Sequence, residues 1–158
     1  MPMPTMDTIS KTVGQVTELT VIAPLKPGAA TSLRQVLNGL QTSPDSPIKK
    51  INTIHFARWV IFDNDTRLLF TSNFDGDWVD YLRDFSQITP QGMDRIFGHC
   101  DGYPEGGCAD FEAFRAYVRK YQVPTDLFYA AYPESSVHAV LQALEVKQLV
   151  DDFVRKLP

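Results

Sequence analysis

The chain is poor in the residues that carry the commonest site chemistries. It holds two cysteines and three histidines among 158 residues, so neither a disulfide framework nor a His-rich metal cage can define it. GxGxxG, GxSxG, HExxH and phosphate-loop patterns are missing, which argues against nucleotide-dependent, serine-hydrolase and zincin chemistry. No Lys/Arg run is longer than the two residues of Lys49-Lys50 and the formal net charge is −4, so the electrostatic footprint of a nucleic-acid binder is absent. Apolar runs are too short to span a bilayer. Residues 1–14, MPMPTMDTISKTVG, lack the apolar stretch of a signal peptide and are expected to form a disordered arm before a single domain at 15–158. A cytoplasmic protein with neither a nucleic-acid nor a membrane partner is expected.

Cys100 and Cys108 frame the loop CDGYPEGGC. In a reducing compartment such a pair reads as two free, semi-buried thiols, with a disulfide or redox pair as the alternative. His99 beside them makes a three-ligand set with no fourth ligand at zinc-finger spacing, so no metal is assigned.

What is present is a core: 44% of the residues are hydrophobic, enough to fold one domain without cross-links. Residues 15–23 alternate and are β-branched, a first strand. After Pro27 and Gly28, apolar residues from Ala29 through Leu33, Val36 and Leu37 to Leu40 repeat at helical spacing. Residues 52–62 and 67–74 read as a β-hairpin turning at Asn64-Asp65, followed by a helix that Asp75 or Asp77 can cap. The stretch 88–124 carries two helical stripes, Met93 to Phe97 and Phe111 to Tyr121, and reads as a structured insertion. TDLFYAAY at 125–132 predicts a fourth strand. A long amphipathic segment from Val137 to Val154 follows, with an apolar period that slips near Glu145 and suggests two helices.

The order β-α-β-β-α-insertion-β-α predicts an α+β, ferredoxin-like βαββαβ domain with a four-stranded antiparallel sheet and helices on one face. A two-residue turn at Asn64-Asp65 sorts the hairpin. His55, Ala57, Trp59 and Ile61 join Leu68, Phe70, Ser72 and Phe74 under the helices, while Phe56, Arg58, Val60 and Phe62 share the other face with Leu69, Thr71 and Asn73. That second face needs a cover, and a homodimer is the expected one.

The stretches HFARWVIFD, LLFTSNFDGDW and IFGHCDGYP resemble the dimeric α+β barrel superfamily and, within it, an uncharacterised bacterial group; the likeness spans residues 15–133. That superfamily includes cofactor-free quinone-forming monooxygenases, haem-degrading enzymes, chlorite dismutases, dye-decolorising peroxidases and small ligand-binding or purely structural dimers. The resemblance implies an oxidoreductase-like enzyme or haem binder acting on a small aromatic or lipophilic compound. The alternative is a non-catalytic dimerisation or ligand-binding module accessory to another enzyme.

Arg58 is the most informative charge, because a mid-strand Arg among large apolar residues needs a carboxylate or a ligand. Glu18, Asp75 or Asp77 could pair with it; otherwise Arg58 and Asn73 hold an anionic or quinone-like ligand, with His99 and Tyr103 from the insertion at the mouth of the cavity. His138, early in the C-terminal helical segment, is the candidate axial ligand for haem, and His55 is expected to bond to the insertion.

Overall fold

The computed structural model describes residues 9–157. Its order is β1 (Thr12–Val13), β2 (Val16–Pro24), α1 (Ala30–Thr42), β3 (Ile54–Phe62), β4 (Arg67–Asp75), α2 (Trp78–Ile88), α3 (Pro90–Phe97), α4 (Phe111–Tyr121) and α5 (Val137–Arg155). The strands form one antiparallel sheet in the order β1-β2-β4-β3.

The hairpin forms as expected, and for the expected reason. Thr66 N–H donates to the Asp63 carbonyl, and Asn64 and Asp65 between them have φ of 52° and 66°. Positive φ at both central residues is the type I′ turn, whose twist matches that of paired strands. Phe62 therefore faces Arg67 and Arg58 faces Thr71. The alternation then sends Leu68, Phe70, Ser72 and Phe74 inward, where all four are buried, and leaves Phe56, Arg58 and Val60 exposed.

Helices α1 to α4 cover the inward face. Leu33 and Leu40 of α1, Tyr81, Leu82 and Phe85 of α2, Met93, Ile96 and Phe97 of α3, and Phe114, Tyr117 and Val118 of α4 meet Leu19, Val21 and Phe70 in one core. Asp77 caps α2 by accepting the Asp80 amide, and Asp110 caps α4 by accepting the Ala113 amide. Both helical stripes of the insertion thus form helices that complete the core.

Four expectations are corrected. Residues 125–132 form no strand: part of the β2 edge is already taken by β1, through Thr12 opposite Thr17 and Val13 opposite Val16. The segment instead runs extended past β2, tied by an isolated Val21–Gln122 bridge and by hydrogen bonds from Val123 N–H to Thr20 and from Gln15 N–H to Pro133. High β-propensity yields a strand only where a free edge accepts it. Within the expected arm, Thr12–Val13 form β1 and Gly14 lies in the turn to β2; residues 1–8 lie outside the described residues. The C-terminal segment is one helix, continuous through the slip at Glu145. Finally, β3 bulges between Ile54 and Phe56, so His55 leaves the helix-facing row.

Helix α5 is 19 residues long and has no buried residue. Leu141, Leu144, Leu149, Phe153 and Val154 are each more than half exposed. No helix is long and apolar enough to cross a membrane among the described residues.

Candidate functional site

The open face of the sheet carries Val16, Glu18, Thr20 and Ile22 from β2, Leu69, Thr71, Asn73 and Asp75 from β4, and Phe56, Arg58 and Val60 from β3, as the ladder registers require. Its end nearest α5 is partly roofed by the extended 128–132 segment. Val16, His55, Phe56, Asn73 and residues Phe128 to Tyr132 enclose a hollow of about 230 Å³. A dry cavity of ~150 Å³ holds benzene, so this one has room for a single substituted ring. An adjoining hollow is lined by Phe56, Ala57, Arg58, Thr71 and Asn73. Phe56 and Asn73 are common to both.

Arg58 and Asn73 are therefore brought together, as the face pattern predicted. Arg58 has no hydrogen bond or ion pair among the described residues. Its three suggested carboxylate partners are engaged elsewhere. Glu18 accepts from Lys11 N–H and from the Thr125 hydroxyl, Asp75 takes His55, and Asp77 caps α2.

His55 and Asp75 are the pair the sequence reading missed. Nε2 of His55 stands 2.7 Å from Oδ1 of Asp75, with the two side chains 9% and 17% exposed. The other oxygen, Oδ2, accepts the Val137 amide at 2.8 Å and so seats the first turn of α5. His55 meets this carboxylate, not the insertion, because the bulge gives β3 one residue without a ladder partner and re-aims its side chain. The only sequence signal was a His one residue before Phe56, and a bulge is not legible from alternation.

His99 and Tyr103 lie elsewhere, in the loops between α3 and α4. His99 Nε2 is 3.1 Å from Ser32 Oγ and its Nδ1 is 3.3 Å from the Ile96 carbonyl. Tyr103 donates to Asp94 Oδ1 at 2.6 Å, and the same oxygen accepts the Cys108 amide at 2.8 Å. Burial and the adjacent Asp94 carboxylate push the Tyr103 phenol well above its ordinary range. Tyr103 also packs against Phe97, Phe114 and Tyr117. It borders a separate hollow of about 320 Å³ with Lys26, Asp94, Gly98 and Gly107. His99 and Tyr103 thus flank the helical layer, and neither lines the hollows that contain Arg58 and Asn73.

Cys100 and Cys108 are free, fully buried thiols. Burial pushes each up to about 12, the neutral, unreactive range. His138 is exposed on the first turn of α5 and lines neither open-face hollow. Among the described residues no group of His, Cys, Asp and Glu could hold a metal ion.

No protein-family model, curated protein or solved structure matches the chain.

Proposed function

We propose that the chain works as a homodimer of ferredoxin-like subunits, of dimeric α+β barrel type, that binds a small aromatic or lipophilic compound with an anionic or quinone-like oxygen on the open sheet face. The observation that carries this reading is the pairing of an aromatic-walled hollow with a cation that has no partner among the described residues. Phe56, Phe128, Tyr129 and Tyr132 supply apolar walls, Asn73 supplies an amide, and Arg58 stands one hollow away with its donors unused among the described residues. Specific small-molecule sites combine mostly apolar walls with a few placed polar groups.

Two further observations support the dimer. A helix with no buried residue gains little from tertiary packing, which is where most helical stability arises, so α5 calls for a partner surface. Phe56, Tyr129 and Tyr132, at 69%, 80% and 53% exposed, extend that apolar surface onto the sheet. A second copy packed about a two-fold axis would cover both at once. The ferredoxin-like reading draws support from the 122–133 segment, which lies along β2 where the last strand of that fold would pair. An oxidoreductase-like enzyme or haem protein would use the same face, with His138 as axial ligand; the geometry favours the binding module, because His138 stands apart from the hollow.

Titration with anilinonaphthalenesulfonate, an anionic aromatic dye, tests the reading. Saturable binding is expected, weakened about tenfold in Arg58→Met by loss of a charge-assisted bond. The unfolding midpoint of that variant should not move, since Arg58 is exposed and has no partner among the described residues to strand. Equal affinity in the variant, or no saturable binding by the parent, contradicts the proposal.

A further inference from the structure

We infer that His55 and Asp75 form a proton-accepting pair at the hollow, suited to taking the proton of a phenolic hydroxyl on a small aromatic ligand. This rests on the reading of the hollow as a binding site and adds a chemical step to it.

A carboxylate can only accept, so the 2.7 Å contact fixes the proton of a neutral His55 on Nε2 and leaves the Nδ1 lone pair free. Nδ1 has no protein partner among the described residues. Asp75 is itself immobilised at both oxygens, by His55 and by the Val137 amide. An imidazole whose one nitrogen is held by a fixed carboxylate, with the other nitrogen open, is an oriented base. Its surroundings select the ligand. Val16, Phe56, Phe128 and Tyr132 favour an aromatic ring, and Asn73 offers a donor to an oxygen on that ring. Arg58, beyond the shared Phe56 and Asn73 wall, is placed to offset negative charge on the product.

The step balances without a further reactant. The phenol O–H bond breaks, its electron pair stays on oxygen, and the proton forms an N–H bond at Nδ1. Nε2–H stays on Asp75, so the imidazolium faces a carboxylate on one side and the new phenolate on the other.

The test uses para-nitrophenol, whose phenolate is coloured, and para-nitroanisole, which has the same ring and no proton to give. Both should bind the parent protein, and bound para-nitrophenol should show a phenolate-to-phenol ratio about tenfold above that of the free compound at the same pH. His55→Gln should lose the enrichment of bound para-nitrophenol as phenolate. Nitrogen NMR of the parent should show His55 passing from one protonated nitrogen to two when para-nitrophenol binds, a readout independent of how the variant folds. Binding of both compounds with no enrichment, or an enrichment that survives His55→Gln, overturns the pair and leaves the hollow standing. Failure of both compounds to bind overturns the hollow and the pair together.

Discussion

His55 Nε2 and Asp75 Oδ1, from facing strands of one hairpin, meet at 2.7 Å because a single-residue bulge in β3 brings the imidazole to the carboxylate. The same carboxylate seats α5 through Val137. A short polar link thus couples the sheet, the hollow and the C-terminal helix.

Asp75→Asn tests that link. The amide keeps the volume but replaces one carboxylate oxygen by a donor, which must face either His55 or the Val137 N–H. A stability loss of about 1–3 kcal/mol is expected in urea unfolding, with reduced helical ellipticity from fraying of α5. An unchanged midpoint would show that the contact contributes nothing to the fold.

Gly107→Ala probes the loop that frames the insertion. Gly107 has φ +64°, and a Cβ there would fall 2.6 Å from Asp94 Oδ2, the carboxylate whose other oxygen holds Tyr103 and Cys108. The variant should lose about 1–3 kcal/mol and expose Cys108 to thiol reagents, because a left-handed backbone and a displaced Asp94 act together. Parent-like stability and thiol protection would contradict this account of the loop.

The buried thiols predict a pH dependence of definite sign. Burial raises Cys100 and Cys108 from 9.0 to about 12 in the folded chain, so the native state keeps protons that the unfolded chain releases. Their contribution to stability is complete below pH 9.0 and is lost as pH rises towards about 12. Over that window the parent should lose stability more steeply than a Cys100→Ala/Cys108→Ala variant, as followed by urea midpoints. Equal slopes would contradict the burial argument.

Leu149→Asp places a charge on the unpartnered face of α5. If a second copy covers that face, the variant should become monomeric and lose helical signal while the unfolding of the sheet core is kept, because α5 contributes nothing to that core. A variant that associates like the parent would move the interface away from α5.

Local patterning made the hairpin register legible from Phe56 to Phe62 and from Arg67 to Asn73, since turn chemistry at Asn64-Asp65 and alternation depend only on neighbours in sequence. The stripes at Met93 to Phe97 and Phe111 to Tyr121 were legible for the same reason. What escaped depends on competition between distant segments. TDLFYAAY has strand composition, yet β1 occupies part of the edge it would need. The bulge at His55 has no local signature, so the His55–Asp75 pair stayed hidden, whereas alternation placed Arg58 and Asn73 on the open face. His99 and Tyr103 were grouped with them by loop composition, but the fold carries that loop to the helical layer, where Tyr103 bonds Asp94.

The most direct test of the central claim is sedimentation equilibrium of the full chain at micromolar concentration. An open sheet face and a 19-residue helix without a buried residue predict a species of twice the chain mass. A strict monomer, with α5 still helical, would contradict the dimer and remove the cover proposed for the hollow at His55, Phe56 and Asn73.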